Sequence, residues 1–504
     1  MQQLSEMDSN FLQQESARTP MHISPVIVYD QSARQGGKVR YEDILTVFKR
    51  NLHKSVIFRR KLSGGAMGLD TPYWVEDRDF DLEFHVRHIA LPKPGDWRQF
   101  CILLARLQSR GLDMKRPLWE AYVIEGLNKV EGLPEKSFAV MLKIHHAAID
   151  GISGAEIIAA IHSMSEDMTP PVVDTWKGEK EPSPWKVWSR AYVHNLQRPV
   201  KFFGTIGSLV PAIIRARKIS ANPRDERRNT LTAKTRFNAP ISTYRVTDTL
   251  LMDLAEVKAM RKALNNVTIN DIIVAIIGGA LRKYLHAKGE LPDDSLIAGA
   301  PVNVRSERSS KSSGNQVSLM RIDMATNIAD PVERLRLVNE SAQQSKAFSN
   351  ALGGSVMMDI SEILIPQVLG WGFRLATIAA AQTERPMPCH VVISNVPGPQ
   401  IPLYLAGAKV HLMMGMGPLL DLMGLFHAVI SGAGVITINF VSCREMMPDP
   451  QFYKACLEES YQELQLAAQH ATLRSESKPK HKPKAKLKSK SRPKANDTQR
   501  VALP

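Results

Sequence analysis

The sequence predicts a mixed α/β protein built as two large units, and three observations carry that expectation. Strand-like runs and helix-like periodicities alternate from start to finish without a fixed repeat period, the pattern of sheets covered by helices. The 504 residues are enough for two large domains at the usual size of about 100–150 residues or more. With 44% hydrophobic and 23% charged residues and no excess of Gly or Pro, the chain is neither collagen-like nor mostly disordered nor a disulfide scaffold.

The elements can be justified in order. Trp97 to Leu112 reads as an amphipathic helix and Phe138 to Ile144 as a buried strand. After Gly151 the pattern turns helical, and Ser153 and Glu156 have the spacing of a capping box opening a helix through Ile161. His145 to Gly151 is therefore a strand-to-helix loop. In the second part, strands are expected at Tyr244–Met252, Leu296–Val304, Val317–Ala325 and His390–Ile393. Helices are expected at Leu254–Leu264, Thr268–His286, Pro331–Phe348 and Gln451–His470. The uncharged run Leu422 to Cys443 is long enough for a membrane span, which needs about 20 apolar residues. It holds His427, Asn439 and three Gly, and its β-branched residues alternate around a Ser-Gly-Ala-Gly turn, so it reads as a buried hairpin. Each half thus holds a sheet and helices of its own.

Charge is concentrated at the end of the chain. Of the net +15, the segment Arg474 to Lys494 carries +9, from eight Lys and two Arg against Glu476 alone. Lys alternating with small residues and Pro cannot bury apolar area and is expected to be disordered. It is either a solubilising tail or a contact for an anionic surface, lipid headgroups or nucleic acid. Between the halves, Trp185 to Lys218 holds seven Lys or Arg and no acidic residue, interleaved with Trp185, Trp188, Tyr192, Phe202 and Phe203. This is the make-up of an interfacial membrane segment or of a connector packing its apolar face on the protein; Pro199 and Pro211 break it into short helices. The domains expected are 1–180, a connector over 181–240, a second domain over 241–472 and a disordered tail over 473–504. Cys101, Cys389, Cys443 and Cys456 lack metal-ligand spacing, and the first residues lack a secretion signal, so free thiols in a cytoplasmic protein are expected.

The segment richest in chemistry is His145-His146-Ala147-Ala148-Ile149-Asp150-Gly151. Two adjacent imidazoles on an extended backbone point to opposite sides, so one can face a cavity while the other is held in the core. Asp150 can order the turn, and Gly151 permits a tight backbone. Zinc is a poor fit, because these residues precede the helix and no third ligand is recognisable nearby. No G-x-S-x-G elbow or reactive Cys is present, which leaves an imidazole general base without a protein nucleophile.

An HHxxxDG pattern in such a loop, within a two-part α/β chain, resembles the CoA-dependent acyltransferase superfamily that includes chloramphenicol acetyltransferase and peptide-synthesis condensation domains. More narrowly, the chain resembles the bacterial wax ester synthase/diacylglycerol acyltransferase family. The segments that carry this likeness are the opening LSEMDSNFLQQESARTPMHI, Arg116-Pro117-Leu118-Trp119-Glu120, Thr268-Ile269-Asn270-Asp271, Pro301-Val302-Asn303-Val304-Arg305 with Gly314-Asn315, and Ser394-Asn395-Val396-Pro397-Gly398-Pro399. The resemblance implies two chloramphenicol acetyltransferase-like domains joined by a helical connector, with an active-site tunnel between them. It implies His146 as general base, His145 in support, Asp150 bracing the loop against an arginine such as Arg59 or Arg60, and no metal or resident cofactor. Asn270 is the candidate oxyanion donor, or equally a helix cap. Acyl-CoA is the implied cosubstrate, and a long-chain fatty alcohol or diacylglycerol the implied acceptor. The implied location is cytoplasmic, peripheral to the inner membrane face or to lipid inclusions. A condensation-type enzyme with a small alcohol or amine acceptor is the alternative. Nucleic acid is not an expected partner, since no recognition module accompanies the tail. Trp119 and the Asn395–Gly398 segment read as architecture.

Overall fold

A computed structural model describes residues 2–32, 34, 37–64, 70–149, 153–166, 234–264, 267–303, 317–352 and 389–476, together with ten positions between 176 and 193. Its strands are β1 (Gln2–Gln3), β2 (His22–Asp30), β3 (Arg60–Ser63), β4 (Tyr73–Glu76), β5 (Val86–Ala90), β6 (Trp119–Leu127), β7 (Ser137–His145), β8 (Arg245–Asp253), β9 (Ile297–Asn303), β10 (Val317–Asp323), β11 (Val391–Pro397), β12 (Tyr404–Leu405), β13 (Ala408–Met416), β14 (Leu425–Gly432) and β15 (Val435–Cys443). The helices that matter below are α1 (Glu6–Gln14), α2 (Tyr41–Asn51), α3 (Leu82–His85), α4 (Trp97–Gln108), α5 (Ser153–Ile161), α6 (Leu254–Ala263), α7 (Ile269–Ala287), α8 (Pro331–Leu352) and α9 (Pro450–Glu476).

Local signals fix several of these ends. Asp96 accepts from the Gln99 N–H (2.8 Å) while the Gln99 side chain accepts from the Asp96 N–H (3.3 Å), a reciprocal cap that starts α4. The same device, Thr268 with Asp271, starts α7. The run Leu422 to Cys443 folds as β14 and β15, joined by Ala433 and Gly434 with φ of 51° and 83°. Positive φ at both positions makes this a two-residue turn whose twist matches the flanking strands.

The strands form two six-stranded sheets, ordered β12-β13-β2-β7-β6-β5 and β10-β9-β11-β14-β15-β8, and a three-stranded sheet ordered β1-β4-β3. The expectation that each half holds a sheet of its own is corrected here. β13 lies late in the chain yet pairs antiparallel with β2, from Lys409 opposite Asp30 to Met416 opposite Ser24. The reason is burial on both faces: Leu412, Met414 and Met416 enter the core shared with the second sheet, whereas Val410 and Met413 enter the core under α2 and α5. Met413, Met414 and Met416 are therefore all strand core. The larger core is continuous between the halves, running from Val26, Met141 and Phe100 to Ile272, Ile393 and Phe440.

Most of the basic connector and the Lys-rich tail lie outside the described residues. Among the described residues, no helix is long and apolar enough to cross a membrane.

Candidate active site

β7 sits between β2 and β6, and all nine of its residues are buried. Alternation sends Ala139 and Met141 toward α4 and the second sheet, and Val140, Leu142 and Ile144 toward α2 and α5. Lys143 and His145 continue the first of these faces, so a charge and an imidazole are buried where the pattern provides apolar side chains. Lys143 meets that demand by donating to the Arg110 carbonyl (2.7 Å) with Glu120 at 3.8 Å, and burial lowers its pKa to about 8.

His145 closes the strand and is fully buried. Its Nδ1 accepts from the Ala147 N–H (3.1 Å), so in the neutral ring the proton is on Nε2, which lies 3.3 Å from Glu15 Oε2. The Glu15 carboxylate also accepts from the Met21 N–H. The Met21 carbonyl in turn accepts from the His146 N–H (2.7 Å). One carboxylate at the end of α1 thus ties together His145, the approach to β2 and the backbone of His146. Opposite His145 across the ladder is His22, whose Nε2 lies 3.0 Å from the Gln108 carbonyl oxygen. Burial, then Lys143 and His145, hold His22 well below the usual imidazole range.

His146 leaves the sheet. It opens a single 3₁₀ turn, His146–Ala148, closed by the Ile149 N–H donating to its carbonyl (3.2 Å). Half-buried, its ring lies flat under Phe11 of α1, centroids 3.9 Å apart and planes within 18°. Burial lowers its pKa to about 4; its own backbone works the other way, and His145 adds a further lowering. The ring is therefore neutral at physiological pH. The two histidines diverge as the strand geometry requires: one locked in the core, the other on a loop.

The remaining sequence-expected residues fall as follows. Asp150 and Gly151 lie outside the described residues, as do the side chains of the Ser153–Glu156 cap. Asn270 is not the cap of α7, which is Thr268; it lies in the first turn, and its Oδ1 accepts from Asn395 Nδ2 at 3.4 Å. Two motifs 125 residues apart thus meet. Arg59 is buried with Trp176 stacked at 4.5 Å, whereas Arg60 reaches out to Gln2. Trp119 is a packing anchor, set among Phe48, Phe58 and His85 with its Nε1 donating to the Phe58 carbonyl (3.0 Å). Phe11, Glu15 and Met21 were not identified as site residues from sequence; the only signal for them is that they belong to the opening segment of the family likeness. Among the described residues no cluster of His, Cys, Asp or Glu is arranged to hold a metal ion.

Two six-stranded sheets thus share one core, and a histidine pair closes a central strand of the first. Residues 4–273 match the wax ester synthase/diacylglycerol acyltransferase catalytic domain, and residues 313–465 the WS/DGAT C-terminal domain. A putative diacylglycerol O-acyltransferase of Mycobacterium tuberculosis is 32% identical over 481 residues, 92% of this chain and 99% of that one. The O-acyltransferase WSD of Acinetobacter baylyi is 30% identical over 473 residues, 92% and 96% of the two chains. Among solved structures, the wax ester synthase/diacylglycerol acyltransferase of Marinobacter aquaeolei VT8 superposes with a TM-score of 0.66 at 24% identity, covering 93% of this chain and all of that one. A condensation domain of the calcium-dependent antibiotic synthetase shares the fold at a TM-score of 0.57 and 12% identity, covering 93% and 96%. The chain belongs to the wax ester synthase/diacylglycerol acyltransferase family and is an O-acyltransferase.

Proposed function

We propose that the enzyme transfers a long-chain acyl group from acyl-CoA to the hydroxyl of a fatty alcohol or a diacylglycerol, with His146 as general base and no acyl-enzyme intermediate. The observation that carries this reading is the state of His146: a neutral imidazole on a loop, braced through Phe11 and Met21. Its Nε2 takes the acceptor's proton as the hydroxyl oxygen bonds to the thioester carbonyl carbon. The C–S bond of the tetrahedral intermediate then breaks, and the imidazolium returns the proton to the departing CoA thiolate. Positioned proton transfer of this kind contributes about 10²–10⁴-fold.

The cysteines support the absence of a covalent intermediate. All four are buried with their pKa raised by burial, to about 12 for Cys389 and about 11 for Cys456, so none offers a thiolate.

Asp150 orients the loop from beyond His146. Arg59 is its natural partner, since Arg60 is engaged at the surface. Asn270 contributes to the oxyanion or acceptor site: with Oδ1 facing Asn395, its amide hydrogens are the groups left to donate. Because acceptor and ester are nearly insoluble in water, the enzyme works at a membrane or lipid-inclusion surface, held peripherally. The test is thiol release from palmitoyl-CoA with and without hexadecanol by the full chain and by His146→Ala. Alcohol-dependent release that survives the substitution removes His146 as the base.

A further inference from the structure

We infer that the helix carrying Trp185, Trp188 and Tyr192 is an interfacial anchor that seats the enzyme on an anionic lipid surface. This rests on the lipid-substrate reading above and assigns membrane contact to one helix face. At about 100° per residue, Trp185, Trp188 and Tyr192 fall within an arc of roughly 60°, with Val187 on the opposite side. All three rings face solvent, Trp185 81% exposed, Tyr192 68% and Trp188 40%, with Val193 near them at 53%, while Val187 is 8% exposed and packs on Tyr73 of β4. The Val187 N–H donates to the Ser183 carbonyl (3.2 Å), the bond expected of a helical turn.

The helix is attached to a firm base. Tyr73 is itself buried in the three-stranded sheet. Just upstream, Trp176 fastens the same stretch of chain to that sheet, its Nε1 donating to Glu76 Oε2 (2.7 Å) and its ring stacked on Arg59. Three large aromatics are therefore held toward solvent by a buried contact on the other side of their helix.

Charge selects the occupant. From Trp185 to Lys218 the chain has seven Lys or Arg and no Asp or Glu, and the exposed rings are Trp and Tyr, whose polar tips suit the headgroup level of a bilayer. Of these cations Arg190 lies among the described residues, exposed on the same helical stretch as the rings, and an anionic lipid surface satisfies both. The attachment also has a direction: β1 of the same small sheet leads through the Ser5 cap into α1, whose Phe11 covers His146. The anchor's platform and the cover of the general base are one continuous piece of chain.

The test uses the full chain with vesicles of phosphatidylcholine and phosphatidylglycerol, in low salt and in about 1 M NaCl, where the screening length is roughly 3 Å. The expected result is binding that persists in high salt, and a loss of about tenfold or more in high-salt partitioning for W185S/W188S/Y192S. Undiminished high-salt partitioning of that variant overturns the inference, as does loss of self-association without loss of vesicle binding, which would make the face a contact between copies. A second measurement guards against misfolding: brominated phosphatidylcholine quenches the tryptophan fluorescence of the unaltered chain, and W185F/W188F removes that quenching. Absence of quenching in the unaltered chain also overturns it. Hexadecanol esterification is followed in parallel; an enzyme that binds vesicles as expected but makes no ester leaves the anchor standing and the substrate reading refuted.

Discussion

His146 and His427 make an instructive pair. Both are imidazoles whose burial lowers the pKa, to about 4 and about 3 respectively. His427 sits in the middle of β14, fully buried, its Nε2 2.8 Å from the Tyr453 hydroxyl and Phe440 beyond. Its burial ends in a hydrogen bond inside the core. His146 has left its strand and is held by contacts to its ring face and its backbone. A depressed pKa therefore does not by itself mark the proposed base; the two histidines differ in where they stand relative to the strand end.

The largest test of that distinction is His146→Ala, which is expected to lower kcat by about 10²–10⁴-fold with the thermal midpoint little changed. An unaltered kcat would place the two histidines in the same structural class. Glu15→Ala comes next, with an expected loss of about 10–100-fold, because the oxygen that faces both His145 Nε2 and the Met21 N–H is removed and the loop then drifts. Rescue by Glu15→Asp would not be expected, since the shorter side chain loses the same reach; recovery of full activity in that variant would show that charge alone suffices.

Acid should act on stability and on rate in different ways. His22, His146, His162 and His427 are all held below the ordinary imidazole value of about 6.5 by burial. In that situation the unfolded chain binds protons that the folded chain refuses, so stability rises with pH across the window and is lost as pH falls from about 6.5 toward about 4. Urea midpoints measured at several pH values should decline over that range. The acid limb of kcat/KM should lie nearer 4 than 6.5; a limb at the ordinary imidazole value would show that the base is a more exposed group. The smallest effect on catalysis is expected for His427→Phe, which leaves the Tyr453 hydroxyl unpaired: a stability loss of about 1–3 kcal/mol with kcat within about twofold. A large fall in kcat would join the two regions functionally.

Much of this was readable from the sequence where the signal is local. The periodicity of Ile269–Ala287, the hairpin around Ala433-Gly434 and the strand ending at the histidine pair are all set by residues within a few positions of one another. What could not be read depends on distance along the chain. Phe11 meets His146, and Glu15 meets His145, across 130 residues or more, and nothing in the opening segment marks it as the cover of a loop so far away. Lys143 shows the limit from the other side: in sequence it interrupts an apolar strand, and only Glu120 and the Arg110 carbonyl explain why the interruption is tolerated. The crossing of β13 into the first sheet was invisible for the same reason, since an apolar strand does not declare its partner.

That crossing has a consequence for biogenesis. The edge of β2 (His22–Asp30) that β13 covers is made long before its mate, which begins only at residue 408. Until then the nascent molecule carries an open hydrogen-bonding rim beside the histidine strand, a template for illicit pairing. A fragment that stops before residue 408 would keep that edge uncovered.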